Sequence, residues 1–575
     1  MFACSYFLDG SSINLYDPPK IFTERREGLS LNDRVKRIAI SALIFSFAVL
    51  LLAGGVQAQQ GEPGKKLVIL FTHDLHSYFP PHRVLTNEGS PSEEGGYARL
   101  FSVIKEQRAL HGDKTLLVDA GDFAEGTLFH TVLSDEALEF RLMGKMGYDA
   151  LTVGNHDFDF RTGGLAAMLR TARRKAHSAP PLVVSNLVFS KEGRGDAELK
   201  KAFAEYPVRD YLVVERNGLK IGLFGIMGKD AAEDTPYATP ASFADPVETA
   251  RRMVAILKNK ADVIVCLSHS GTWPVRSRSE DEILADKVPE IDVIISGHTH
   301  TVLPKPIIVG RTIIVSAGAY SAYLGVLSLS VAKDRAAAVA GYELVKMTPE
   351  MPGDPEIAKA VASFRKVVEE RYLSHYGYRF DQAIAESGFD LEPLAYAYAH
   401  PGETGLGNLV TDAYRYAVKK TEGAAYRHVH AAVNVLGTIR SSFVRGKIAV
   451  PEVFQVLSMG PADNGYCGNT LVAGYVTGRD MKDLLEVHTS IAPSKVDAYL
   501  NLSGVRFRYN PHRMIFDRVT AAEVEDEDGV YRPLVKDKLY RVVVNSYLAN
   551  LLGIISKKSH GILKVAVRDE RKVGW

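Results

Sequence analysis

The sequence predicts an α/β fold, with a layered N-terminal domain joined by a helix to a smaller α+β C-terminal domain, and three observations lead there. From Leu67 to about Leu329 short β-branched runs alternate with amphipathic stretches, as in stacked helix and sheet layers. Most of those runs are nearly continuous in apolar residues, the texture of strands covered on both faces. Several end directly in histidines and carboxylates. A length of 575 residues agrees with two or three domains, each able to bury its own core.

The elements follow in order. Arg34, Lys36 and Arg37 precede an apolar stretch from Ile38 to Leu52, then small residues and Val-Gln-Ala ending at Ala58. This reads as a secretory signal cleaved near Ala58, so residues 1–58 are set apart and the protein is expected to be periplasmic or secreted. The stretch before Arg34 is long for such a signal, and a start codon placed too far upstream accounts for it. The apolar core is shorter than the roughly 20 residues that span a bilayer. No stable membrane insertion is therefore expected after cleavage, with a retained N-terminal anchor as the alternative. LVILFT, TLLVDA, DALTVG, PLVVSN, KIGLFGI, DVIVCLS, DVIISG and TIIVSAG are the strand candidates of the first domain. PEIAKAVASFRKVVEERY, from Pro355 to Tyr372, carries apolar residues at helical spacing behind a proline and reads as a connecting helix. After about Gly377 come a further helix (GNLVTDAYRYAVKK) and the strand candidates HAAVNVL, TLVAGYVTG, GVRFRYN and LYRVVVNSYL.

Composition excludes several functions. A net charge of +1 argues against nucleic acid as a partner. The three cysteines, Cys4, Cys266 and Cys467, make neither a disulfide framework nor a thiolate cluster, and Cys266 within DVIVCLSH reads as a small buried hydrophobe. The glycine-rich stretches lack the G-x-x-x-x-G-K-[ST] pattern of a phosphate-cradling loop.

The strand ends carry the chemistry. LVILFTHDLH, LLVDAGD, ALTVGNHDFD, VIVCLSH and VIISGHTH each close on metal-type side chains. Singly, such a histidine is ordinary hydrogen-bonded structure, and Asp74 or Asp122 a turn or cap residue. Five in one polarity point to one shared site, because the carboxyl ends of strands in layered α/β folds lie on one edge of the sheet. Oxygen and imidazole donors without thiolate suit Mn, Fe, Zn or Co.

With the order D-x-H, GD, GNHD, H, GHTH, the chain resembles the calcineurin-like metallophosphoesterases, and within them the bacterial 5'-nucleotidase and UDP-sugar hydrolase family. The resemblance runs from about Leu67 to the C-terminus, strongest in the first domain. It implies a four-layer α-β-β-α sandwich over 59–348, a linker helix over 349–376 and a substrate-binding domain over 377–575. It also implies two divalent metal ions (Mn, Zn, Fe, Co or Mg), one held by Asp74, His76 and His300, the other by Asn155, His269 and His298, with Asp122 bridging. Such a pair, about 3.5 to 4 Å apart, lowers the pKa of a bound water toward ~7 and neutralises charge developing on phosphorus. His156 is implied to stabilise the transition state or protonate the leaving oxygen, with Asp159 orienting it. The glycine of Gly-Asn-His-Asp is read as allowing a tight turn. His73 departs from the family, which usually has Asn there.

In the second domain GETGLGNLVTDAYR and NVLGTIR resemble the family's segments, making Asn434 and Arg440 the candidate substrate contacts. Two aromatic plates that clamp a nucleobase in the family are missing, with Ser458-Met459-Gly460 at one position and NLLGIISKKSHG at the other. An expected arginine is replaced by Gly402, and Tyr466 is a possible stacking residue. The expected function is a phosphoester hydrolase acting on a small phosphorylated substrate, foremost a nucleotide. The alternatives are UDP-sugar, 2',3'-cyclic nucleotide or sulfur-ester hydrolysis at the same site, and, in a different class, a non-catalytic exported binding protein.

Overall fold

The structure, a computed structural model, describes residues 64–86, 89–176, 178–193, 195–332, 337–460, 467–550 and 565–568. The expected leader over 1–58, Tyr466 and most of NLLGIISKKSHG lie outside them.

Two large sheets form the core of the first domain, beside two short two-stranded ribbons. One has seven strands: β1 (Lys65–Thr72), β2 (Thr115–Asp119), β3 (Ala150–Leu151), β4 (Leu182–Val183), β5 (Val208–Arg209), β12 (Tyr323–Val331) and β13 (Ala337–Lys346), in the order β13-β12-β1-β2-β3-β4-β5. The other has six: β6 (Tyr211–Arg216), β7 (Leu219–Met227), β8 (Val263–His269), β9 (Val293–Ser296), β10 (Ile307–Val309) and β11 (Thr312–Val315), in the order β10-β11-β9-β8-β7-β6. β1 to β5 run parallel, as do β7, β8, β9 and β11.

The continuous apolar runs have the expected cause, since both faces of both sheets are covered. Leu67, Ile69 and Phe71 of β1 point between the sheets, against Leu223, Val265 and Ile295 of the second sheet. Val68 and Leu70 point the other way, into a cluster with helices Tyr97–His111, Leu138–Met146 and Arg161–Lys175. On the far side of the second sheet Phe224, Ile264, Cys266 and Ile294 meet helices Pro246–Leu257 and Glu280–Lys287. The layers are therefore α-β-β-α, and each fully buried aliphatic or aromatic side chain contributes about 1.5–3 kcal/mol. All eight predicted strands form. DALTVG and PLVVSN keep only two ladder residues each; in the first, the chain leaves β3 early and Gly154 donates its N–H to the Asp157 carboxylate at 2.8 Å.

The connecting helix spans Pro355–Arg371 and is capped by Asp354, whose Oδ1 accepts from the N–H groups of Glu356 (3.0 Å) and Ile357 (2.9 Å). Its buried face, Ile357, Val361, Phe364 and Val368, joins the helical core of the first domain. The second domain is built on a four-stranded sheet of β14 (Ala431–Val435), β15 (Leu471–Thr477), β16 (Leu500–Ser503) and β17 (Leu539–Asn545), ordered β15-β17-β14-β16. Alternation on β14 gives it two covered faces. Ala431, Val433 and Val435 face helix Gly478–Ser490, and Ala432 faces helix Gly405–Glu422. Arg83 ties the first domain to the second through Glu452 Oε1 at 2.9 Å and the Lys447 carbonyl at 2.7 Å. Among the described residues no helix is long and apolar enough to cross a membrane.

Candidate metal centre

The parallel strands of the two sheets bring their carboxyl ends to one edge, and the seven candidate ligands meet there. Oδ1 of Asp74, just past β1, lies 3.5 Å from His300 Nε2 and 3.9 Å from His76 Nε2, and those two imidazole nitrogens face each other at 3.1 Å. Oδ2 of Asp122, past β2, is 3.7 Å from His76 Nε2 and 3.1 Å from His269 Nε2 at the end of β8. Oδ1 of Asn155 is 3.1 Å from both His269 Nε2 and His298 Nδ1. Asp122 thus stands between a group of Asp74, His76 and His300 and a group of Asn155, His269 and His298.

The backbone is bent to achieve this. Asp74, His76, Asp122, His298 and His300 all adopt left-handed φ, between 49° and 75°. Each such non-glycine residue costs on the order of 1 kcal/mol or more, and clusters of them mark functional sites. Gly121 has φ 93°, as a glycine turning out of a strand should. The chain bends between β3 and the short turn His156–Phe158 with Gly154 outside the left-handed region. What the glycine permits there is close approach, since a Cβ would sit 2.2 Å from Asp122 Oδ1.

The donor set fits cations. Burial alone would push Asp74 up, but His300 and His73 beside it hold it well below the usual carboxylate range. Burial likewise opposes ionisation of Asp122, and His269 and His156 more than offset it. Burial pushes His269 down, while Asp122 and Asp74 raise it to about 10. A centre this anionic draws positive charge to itself, and its atoms are hard oxygens and borderline imidazoles with no thiolate, the set that first-row divalent ions accept. His269 Nδ1 donates to the Ala120 carbonyl at 2.9 Å, which turns Nε2 toward Asp122.

His156 sits beside this group. Its N–H donates to Asp122 Oδ1 at 2.8 Å, and its Nδ1 lies 2.7 Å from Asp159 Oδ2. Burial disfavours the imidazolium, but Asp159 and Asp122 raise His156 to about 9.

Other residues here have no role assigned to them from the sequence. Asp157, completely enclosed, accepts from the N–H groups of Asp122 (3.1 Å), Ala124 (3.1 Å) and Gly154 (2.8 Å), tying the GD turn to the GNHD turn. Glu125 is fully buried, and neither carboxylate oxygen has a hydrogen-bond partner among the described residues. Its Oε2 is 3.8 Å from His156 Nδ1, and burial raises it to about 8 against the pull of His156. The Tyr320 ring packs 5.1 Å from that of His300 and 5.5 Å from that of His76. Asp230 reaches His298 Nε2 at 3.3 Å and is itself bonded by Lys495 of the second domain at 3.3 Å.

The two candidate substrate contacts separate. Arg440 is half-buried, and its guanidinium lies within electrostatic reach of His76, His300, Glu125 and Tyr320. Asn434 is completely buried: its Oδ1 accepts from Thr438 (2.7 Å), Asn545 (3.1 Å) and Tyr414 (3.2 Å), and its Nδ2 donates to the Val435 carbonyl. So placed, Asn434 does not face the open site as expected but holds the turn that leads to Arg440.

Fold and site together define a calcineurin-like metallophosphoesterase, and the family model described as calcineurin-like phosphoesterase matches residues 67–302. A second model, 5'-nucleotidase C-terminal domain, matches residues 388–553, and the chain belongs to the family that joins the two, a family of metal-dependent phosphoester hydrolases. A 5'-nucleotidase precursor from Thermus thermophilus has a similar structure, with a TM-score of 0.69 and 28% identity over 84% of this chain and 90% of that one. The trifunctional nucleotide phosphoesterase protein YfkN of Bacillus subtilis is 27% identical over 86% of this chain, which spans only 33% of that longer protein. A snake venom 5'-nucleotidase from Crotalus adamanteus is 27% identical over 92% of this chain and 88% of its own length.

Proposed function

We propose that this chain is an exported, dinuclear metal-dependent hydrolase that releases phosphate from nucleotides or related esters. The observation that carries the reading is the convergence of six donor side chains around Asp122, with the His156–Asp159 pair at its margin. Asp74, His76 and His300 would hold one ion and Asn155, His269 and His298 the other, with Asp122 shared and the metal one of Mn, Zn, Fe, Co or Mg. When bound, two such ions supply an activated water and neutralise charge developing on phosphorus.

The chain's own residues do the rest. Asp159 accepts the Nδ1 hydrogen of His156, which leaves Nε2–H to hydrogen-bond a phosphoryl oxygen and to protonate the departing alkoxide. Arg440, brought by the second domain, forks two hydrogen bonds onto anionic oxygens of the substrate. Residues 59–348, 349–376 and 377–575 serve as catalytic domain, linker and substrate domain, and the leader over 1–58 directs export.

Nucleotides are the favoured substrates because the relatives with full-length similarity are named for nucleotide hydrolysis. One observation favours another ester. At the position of one expected aromatic plate Ser458 is fully buried and Met459 nearly so, so no ring is offered to a base there. A panel of AMP, UDP-glucose, 2',3'-cyclic AMP, thiosulfate esters and sugar phosphates, assayed with added Mn, separates the readings. AMP is expected to give the highest kcat/KM. A sugar phosphate or cyclic diester ahead of AMP by tenfold or more would overturn the nucleotide assignment and leave the site's chemistry standing.

A further inference from the structure

We propose that His73 is a positioning residue that aims the Asp74 carboxylate into the metal centre, an inference that rests on the dinuclear reading above. The side chain is buried, 2% exposed, and both ring nitrogens are engaged. Nε2 accepts the backbone N–H of Ala317 at 2.7 Å, with the Ser316 hydroxyl at 3.1 Å. A nitrogen that accepts from an amide carries no hydrogen of its own, so the neutral ring has its hydrogen on Nδ1. Nδ1 lies 2.5 Å from Asp74 Oδ2, and the hydrogen is donated there.

These bonds fix how Asp74 presents itself. Oδ2 takes the His73 hydrogen and shares the His298 N–H, which lies 3.0 Å from Oδ2 and 3.2 Å from Oδ1. Oδ1 is then the oxygen turned to the imidazoles, 3.5 Å from His300, 3.9 Å from His76 and 4.0 Å from His269. The backbone is pinned as well, because Asp74 N–H donates to the Gly121 carbonyl at 2.8 Å and its own carbonyl accepts from Tyr320 N–H at 2.8 Å. Tyr320 closes the loop that begins at Ser316, so one short segment anchors His73 from behind and Asp74 from the side. Asp74 is held at φ 51°, a conformation it would not keep unsupported.

The two bonds of His73 can be separated by substitution. Asparagine places its amide nitrogen where Nδ1 stands, keeping a donor for Asp74 and losing the acceptor for Ala317. Glutamine carries its amide one bond further out, keeping an acceptor for Ala317 and putting no donor on Asp74. Full-length wild type, His73→Asn and His73→Gln are stripped of metal and titrated with Mn²⁺, with free ion followed by its EPR signal. His73→Gln is expected to bind one of its two ions about 10- to 100-fold more weakly, the usual effect of losing an outer partner of a ligand. His73→Asn should stay within about threefold of wild type on that scale. Should a variant unfold when stripped, the rate at which a chelator removes Mn²⁺ from the loaded protein gives the same ordering. A His73→Gln protein that matches wild type, or a His73→Asn protein as weak as His73→Gln, overturns the proposal, since a purely structural wedge would favour glutamine or treat both alike. Wild-type protein that takes up no Mn²⁺ overturns the dinuclear reading and this proposal with it, whereas equal binding by all three proteins overturns this proposal alone.

Discussion

Replacing His156 with alanine is expected to lower the hydrolysis of an aryl phosphate by about 10²- to 10⁴-fold, the range that a positioned acid–base group contributes, while bound metal stays unchanged. The side chain removed is no ligand in this arrangement, and its tie to the Asp122 carboxylate runs through the backbone N–H, which alanine retains. The pH profile gives a second reading. With His156 raised to about 9 by Asp159 and Asp122 against burial, its proton is in place at neutral pH and is lost as pH climbs through that value. Asp159→Asn withdraws one of the two charges that hold the proton, so the alkaline fall in rate should begin at lower pH. An unmoved alkaline limb in Asp159→Asn, measured as kcat against pH, would contradict the role given to the pair.

A larger loss is expected from Asp122→Asn. The amide keeps the shape of the side chain and one acceptor oxygen for the His156 N–H, but removes the charge that faces His269 at 3.1 Å and His76 at 3.7 Å. Both ions share that carboxylate in the proposed arrangement, so neither retains its full set of donors. Turnover should fall by about 10⁴-fold or more, beyond the 10²- to 10³-fold typical of one lost transition-state donor. Metal analysis of the same protein should show fewer than two ions per chain. A variant that retains both ions and most of its activity would place Asp122 outside the centre.

Much of this architecture can be read in the amino-acid order, for a plain reason. Strands buried on both faces must be apolar without a break, and those that feed an active edge must end in chemistry, so LVILFT before His73-Asp74 or DVIVCLS before His269 shows its strand and its site at once. The connecting helix is equally legible, because Pro355, its Asp354 cap and Ile357, Val361, Phe364 and Val368 are all local signals. What local pattern cannot supply is partnership across the fold. Asn434 is expected to touch substrate from the motif around it, yet its bonds to Tyr414 and Asn545 come from residues 20 and 111 positions away and seal it in the core. Glu125 is an ordinary acid in sequence, and Asp157 stands in the GNHD motif with no role assigned to it. Only the meeting of two loops makes one a carboxyl group beside His156 with no hydrogen-bond partner among the described residues and the other the tie between neighbouring turns. The two substrate-side expectations that rest on Tyr466 and NLLGIISKKSHG fall largely beyond the described residues.

The central claim is that two ions, held by these seven side chains, make the catalyst. Stripped wild-type protein titrated with Mn²⁺, with bound ion and aryl phosphate turnover measured at each step, tests it most directly. Turnover should stay near background through the first equivalent, rise with the second and reach a plateau at two ions per chain. Full activity at a single equivalent, or turnover that persists when no metal is bound, would contradict the account.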